Sequence, residues 1–489
     1  MAKRVFINFP ILLRVIGWLL MIEGAFLAVP MVTCIVYGEE DWKAFAWSMA
    51  ATLVAGAGMT FGLRPTSNSM GKREGFLLTA LVWVFFSIFG MIPFMLMEVP
   101  LSVSDAFFEA MSGFTTTGAT VLTSISHLSH GVIMWRSLMQ WIGGMGIILF
   151  TLAVIPMLNH SGGMQMFNAE VTGITHDKLR PRISQTAKGL WMIYIVLTIM
   201  LFVLLLIGPM NLFESICHAF STMSTGGFST EDASLAAWDS SYIEVVMTVF
   251  MFLGGVNFAL LFRAAHGEFR PIWKNDVFRA YLKIILLMYV FFVCGIIYHG
   301  QATSVKSLTL DPLFQIISTI TSTGYTVTNF ENWGTFCLAL VFALMFFGAC
   351  AGSTSGGAKI DRMIYLFKNC RNEIDRCIHP NNIYTVRVND KVVPGDLVSK
   401  VIAFLCLYVI IIMVGGIVLT AFGLPLVDSF FSAFSCISNT GLGAGVTGYG
   451  GSYEIVPDAG KWLLALIMLI GRLELFTVLI LFSRTFWRK

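Results

Sequence analysis

Four short peptides hold the chemistry that this sequence states most openly: Thr115-Thr116-Thr117-Gly118, Met223-Ser224-Thr225-Gly226, Thr321-Ser322-Thr323-Gly324 and Ser438-Asn439-Thr440-Gly441. They recur at intervals of about a hundred residues, which marks an internal repeat. None carries a carboxylate, which argues against a divalent-cation site. They offer hydroxyls, and glycines whose backbone angles can turn carbonyl oxygens toward a common axis without a Cβ in the way. Rings of such carbonyls can replace the water around a monovalent cation. One Thr-Gly peptide would be an ordinary turn. Four in register need another explanation.

Two further features lie downstream. Gly143, Gly254, Gly348 and Gly471 follow the four peptides at similar distances. After the third comes Gly348-Ala349-Cys350-Ala351-Gly352-Ser353-Thr354-Ser355-Gly356-Gly357-Ala358. Its four glycines and three hydroxyls cannot make a stable lipid-facing helix, so the stretch is expected to line a water-filled cavity. In the fourth repeat Arg472 stands where the others have Gly144, Gly255 and Ala349. An arginine inside an apolar span is costly and faces a cavity or a partner. Glu474, two positions on, is expected to point elsewhere around the helix. His127 and His130 read as solvated loop residues. No nucleophile–base arrangement or GK[ST] phosphate loop is present, and the nine cysteines show no metal spacing. The expectation is no enzyme and no cofactor in this chain.

Composition dictates which elements can hold these peptides. Of 489 residues, 56% are apolar and 12% charged, against about 25% charged in a soluble domain. With a net charge of +3 there is no basic surface for nucleic acid, and a soluble enzyme is excluded. About 20 apolar residues cross a membrane. Candidate spans are 11–36, 44–63, 75–97, 131–157, 190–209, 243–262, 282–299, 336–357, 400–422 and 460–482. Shorter half-apolar stretches at 105–114, 212–222, 312–320 and 428–437 have the length of re-entrant segments. Asp105, Asp311 and Asp428 stand thirteen positions before three of the peptide glycines, Asn211 stands fifteen before the second, and all four are expected to cap the short helices. Pro312 fits a first helical position.

The predicted fold is all-α and polytopic, with about ten transmembrane helices and four re-entrant ones. Residues 1–70 form two extra helices, and 71–165, 166–268, 269–375 and 376–489 form four repeats of helix, short helix, Thr-Gly loop and helix. Such units suggest a pseudo-fourfold axis. Each short helix would aim its negative C-terminal end at the membrane centre, which favours a cation there. Most of the 31 Lys and Arg fall on one side of this topology, the exceptions being Lys43, Arg136, Lys306, Lys461 and the intramembrane Arg472. That places the basic loops and both termini in the cytoplasm. Trp135, Trp141, Trp273 and Trp333 read as interface anchors.

Several stretches carry a resemblance: Asp105-Ala106-Phe107-Phe108-Glu109 leading into Gly118, Gln140-Trp141-Ile142-Gly143-Gly144-Met145-Gly146, Gly352-Ser353-Thr354-Ser355-Gly356-Gly357, and Gly471-Arg472-Leu473-Glu474. On these, the chain resembles the TrkH/KtrB family of potassium-uptake proteins, nearer the TrkH branch because of its two extra N-terminal helices. The resemblance implies repeats folded like potassium-channel subunits. Thr116, Thr117, Gly118, Ser224, Thr225, Gly226, Ser322, Thr323, Gly324, Asn439, Thr440 and Gly441 then form a selectivity filter. Potassium ion would bind Thr117, Gly118, Thr225, Gly226, Thr323, Gly324, Thr440 and Gly441. Glycine at all four positions points to potassium over sodium, although Leu442-Gly443-Ala444-Gly445 makes the fourth loop richer in glycine than its siblings. The resemblance further implies a gate of Gly348, Gly352, Ser353, Thr354, Ser355, Gly356, Gly357 and Arg472 below the filter. It also implies a homodimer in the lipid of the cytoplasmic (inner) membrane, docked on a TrkA-like cytosolic ring of nucleotide-binding regulatory subunits. Alternatives weighed on the residues are a sodium-coupled or sodium-permeable transporter of the same architecture, an intramembrane enzyme using Arg472 and Glu474, and a membrane scaffold.

Overall fold

Each repeat opens on a long apolar helix without interior proline: Lys72–Gly90, Ile183–Ile207, Asp276–Tyr298 and Gly395–Ala421. The computed structural model describes residues 7–63, 70–146 and 183–488. Among these, six continuous segments are long and apolar enough to cross a membrane. They are Arg73–Leu96, Lys188–Ile207, Asp276–Tyr298 and Gly395–Ala421, one in each opening segment, and the two N-terminal segments Phe9–Tyr37 and Trp42–Gly62. The outward faces of the opening helices are apolar, with Ile199, Val203, Leu286, Val290, Ile410 and Val414 exposed. The N-terminal pair packs closely because Gly17 and Gly56 face each other. The one strand pair among the described residues is a two-residue hairpin, Arg387–Val388 with Lys391–Val392.

The short helices are Val103–Phe114, Leu212–Met223, Val305–Ile320 and Leu426–Ser438. Their starts differ from the expectation. Asp105 and Asp428 are not caps: they sit in the first turn, behind Ser102 and Pro425. Asn211 is a cap, and it exchanges hydrogen bonds with Glu214 in a capping box. Pro312 does not open its helix but lies inside it. A proline there leaves the carbonyl four residues back without its N–H. That carbonyl, on Leu308, accepts the Tyr289 hydroxyl at 3.1 Å instead.

The second helices are His130–Gly144, Ser241–Gly254, Thr335–Phe347 and Asp458–Arg472. Those of the second, third and fourth repeats are not the straight spans expected. At 13 to 15 residues each is only about 20 Å long, short of the hydrocarbon thickness. In the second repeat the chain turns by 106° before Phe258–Ala265, and in the fourth by 113° before Phe476–Phe482. The first break follows the pair Gly254-Gly255, a common site of kinks. The second comes at Glu474 and Leu475, both left-handed. Residues 64–69, the half of the 131–157 span beyond 146, and the basic stretch 178–182 lie outside the described residues. Two of the expected interface tryptophans are core residues: Trp135 is fully buried and donates to the Gly90 carbonyl at 3.0 Å, and Trp333 is buried against Phe292. His130 is not a solvated loop residue either, since it contacts the Glu39 carboxylate and stacks on Tyr37.

Candidate functional site

All four short helices end in the same way. A hydroxyl or amide residue in the left-handed region stops the helix: Thr116, Thr225 and Ser322 at φ +54° and Asn439 at φ +51°. The N–H of the next residue returns to a serine carbonyl five positions back. The pairs are Thr117 to Ser112 (2.9 Å), Gly226 to Ser221 (2.8 Å), Thr323 to Ser318 (2.9 Å) and Thr440 to Ser435 (3.0 Å). One residue later the backbone is left-handed again, at Gly118, Gly227 and Gly324 with φ +82° and Gly441 with φ +73°.

These bonds correct the alignment of the second repeat by one residue. Gly226 matches Thr117, Thr225 matches Thr116, Ser224 matches Thr115, and the left-handed glycine is Gly227. The shift also explains the odd spacing of Asn211. Thirteen positions before Gly227 stands Glu214, an acid in the first helical turn like Asp105 and Asp428. An acid at constant spacing was the signal that could have fixed the register.

The four turns close on one another. A Cβ on Gly118 would strike the Gly226 carbonyl oxygen, one on Gly227 the Thr323 oxygen, one on Gly324 the Thr440 oxygen, and one on Gly441 the Thr117 oxygen. Each glycine thus leans on the carbonyl of the next repeat, and the fourth returns to the first. Side chains from other elements brace this ring. Asn439 donates to the Thr117 hydroxyl at 2.9 Å, and Tyr325 donates to the Phe228 carbonyl at 3.1 Å. Gln140, to which the sequence reading gave no role beyond its place in a stretch carrying the resemblance, donates to the Gly226 carbonyl at 2.8 Å. Behind the first turn, buried Arg136 pairs with buried Glu109 at 2.8 Å, and the guanidinium lies 4.1 Å from the Phe228 ring centre. Above the ring opens a vestibule of about 350 Å³, lined by all four left-handed glycines and by Glu231 and Asp232. Burial, and then the nearby Glu214 and Asp232 carboxylates, raise the Glu231 carboxyl above its usual range.

Beneath the ring, residues 348–359 form no regular helix. Gly348, Gly352 and Gly357 are left-handed there. The segment is stitched to three repeats. The Gly356 N–H donates to Ser322 at the base of the third turn (2.7 Å), and Ser355 lies 3.2 Å from the same hydroxyl. Thr354 donates to the Met223 and Gly254 carbonyls of the second repeat, both at 3.2 Å. Asn257, at the second-repeat break, donates to Ala351 at 2.6 Å, and the Phe258 N–H donates to Gly352 at 2.9 Å. Ser353 bonds only locally among the described contacts, to Cys350 at 2.6 Å.

Arg472 joins this segment to the first repeat. Its guanidinium donates to the Thr354 carbonyl at 3.0 Å and to the Gly143 carbonyl, at the C-terminal end of a helix, at 2.7 Å. Glu474 turns away from it, as expected, and pairs with Arg362 and Lys359 at the far end of the segment.

The comparisons with known proteins concern the chain as a whole. The model of the TrkH family, described as cation transport proteins, matches residues 42–489. The Trk system potassium uptake protein TrkH of Escherichia coli is 34% identical over 485 residues, 99% of this chain and 100% of that one. Its counterpart from Vibrio parahaemolyticus is 36% identical over 487 residues, with 99% and 100% covered. The crystal structure of the potassium transporter TrkH from Vibrio parahaemolyticus matches with a TM-score of 0.89 at 34% identity, covering 98% of this chain and 100% of that one. A membrane chain with this architecture, matched over nearly its whole length, belongs to the TrkH family of cation transport proteins.

Proposed function

We propose that this chain is the pore-forming membrane subunit of a Trk-type system that takes potassium across the inner membrane. The observation that carries this reading is the closed ring in which each left-handed glycine abuts the next repeat's carbonyl. Such a ring presents the oxygens of Thr117, Gly226, Thr323 and Thr440 at one level, where they can replace water around a dehydrated cation. The relatives quoted above are named for potassium uptake, and no observation here favours the sodium alternative. The acids of the vestibule raise the local cation concentration at the entrance.

In the same reading the 348–359 segment is the gate and Arg472 its latch. The segment crosses beneath the turns, and a guanidinium there repels a cation in a low-dielectric passage. It is held by polar contacts and small side chains rather than by large apolar ones, so water can replace its hydrogen bonds and it can be displaced at modest cost. Movement would be driven from the cytoplasm by a nucleotide-binding regulatory subunit, with the chain a homodimer and both termini inside. Rubidium influx into liposomes holding the purified protein tests the core of the proposal. The influx should be displaced by external potassium, resist sodium, and proceed without a sodium gradient. Equal displacement by sodium would overturn it.

A further inference from the structure

The second repeat is the odd member of the ring. Where the others place Thr117, Thr323 and Thr440, it has Gly226, so one side chain is missing. In the three complete repeats the threonine hydroxyl lies 2.8 Å from the hydroxyl two residues earlier, on Thr115, Thr321 or Ser438. The second repeat keeps the corresponding Ser224, whose hydroxyl bonds back to the Phe220 carbonyl at 2.8 Å. The gap is not empty. Gln140, wholly buried on the second helix of the first repeat, enters it. Its Nε2 donates to the Gly226 carbonyl at 2.8 Å, and its Oε1 accepts the Phe228 N–H at 3.1 Å. The three atoms that a Cβ on Gly226 would meet first all belong to the Gln140 amide.

We propose that Gln140 is a specificity-determining positioning residue whose amide stands in for the missing threonine of the second repeat. The proposal rests on the filter reading given above. Gly226-Gly227 is the most freely rotating pair in the ring, because neither residue has a Cβ to restrict it. One amide grips the backbone on both sides of Gly227, so the Gly226 carbonyl keeps its direction. The bond from Nε2 uses one lone pair of that oxygen and leaves the other for an ion. Three quarters of the ring are thus backed by a threonine of their own and one by a side chain lent from its neighbour.

The test uses the full chain in liposomes, with tracer rubidium influx competed by potassium or sodium and size-exclusion profiles for each variant. Gln140→Leu keeps the volume and removes both hydrogen bonds, and should lower the preference for potassium over sodium by roughly fivefold or more. Gly226→Thr alone collides with the amide and should lose flux. Combined with Gln140→Ala, the new threonine enters the vacated space and finds Ser224 as its hydroxyl partner. The double variant should therefore exceed Gly226→Thr in flux and Gln140→Ala in selectivity, a strongly non-additive result. Parental selectivity in Gln140→Leu, parental flux in Gly226→Thr, or a double variant no better than its worse single would each overturn the inference. Gly118→Ser, run alongside, separates the two levels. If it lowers selectivity while the Gln140 variants do not, only this inference fails; if it too is without effect, the filter reading fails first.

Discussion

Gly118 has its backbone at φ +82°, and a Cβ there would press on the Gly226 carbonyl. Gly118→Ser is therefore expected to lower the potassium preference of tracer influx while the protein still elutes as a folded species. The left-handed angle costs an L-residue about 1–2 kcal/mol, which a protein of this size can absorb. A ring displaced at one carbonyl loses its fit to the ion. A permeability ratio equal to the parent's in both Gly118→Ser and Gly324→Ser would remove these turns from the pathway. A different residue raises a question of stability rather than transport. Glu23 is buried with neither carboxylate oxygen partnered among the described residues, in a cavity walled by Phe26, Trp83, Phe86, Phe114 and Ile142. Burying a carboxyl without partners is destabilising. Glu23→Leu should raise the thermal midpoint in detergent and leave rubidium flux unchanged. A lower midpoint would show that Glu23 holds a contact the apolar walls cannot replace.

The segment 348–359 and Arg472 behave as one element, because the guanidinium ties the Thr354 carbonyl to the end of the first repeat's second helix. Arg472→Ala removes both the charge and the tether, and should raise potassium flux without changing selectivity. Deleting Ala349–Ser355 should raise it further, and the two changes together should fall short of their sum. Flux at or below the parental level in Arg472→Ala, at normal protein levels, would make the arginine a structural partner only. The sequence made this element legible, since a run of four glycines and three hydroxyls resists a helix wherever it falls. The opening helices and the four short ones were equally legible from apolar length. The breaks of the second and fourth repeats were not. Gly254-Gly255 looks like any close-packing pair within a span, and neither glutamate nor leucine favours the left-handed angles that Glu474 and Leu475 adopt. The register slip in the second repeat has a simpler origin: with Gly226 and Gly227 adjacent, matching on Thr-Gly selects the wrong glycine. Pro312 was misread because its rescue comes from Tyr289 on another helix, a contact that no local pattern contains.

At the scale of the whole molecule, charges on the outer rim join neighbouring repeats. Lys461 of the fourth repeat, itself buried, lies 2.5 Å from Asp105 of the first, and Lys306 of the third lies 2.7 Å from Glu244 of the second. Removing one partner of a buried pair leaves the other uncompensated, at a cost of about 3–5 kcal/mol. Lys461→Met should therefore lower the thermal midpoint clearly, and adding Asp105→Asn should recover part of the loss. No recovery would mean that the lysine acts through packing. Orientation has its own check. In a cysteine-free background, a cysteine at the exposed position 391 should be labelled only from the cytoplasmic side, and one at exposed position 127 only from outside. Labelling of position 391 in intact cells would invert the topology. Arg472 has a consequence that depends on the four quarters sharing one polypeptide. A ring of four identical chains could set four guanidiniums at this level or none, and two such charges roughly 8 Å apart repel by about 2 kcal/mol at an effective dielectric of about 20. Joined end to end, the quarters can differ, so the valence of the axis is adjustable in single units. If Arg472 acts on the axis as proposed, that count is one at the aligned positions, because the other quarters contribute Gly144, Gly255 and Ala349.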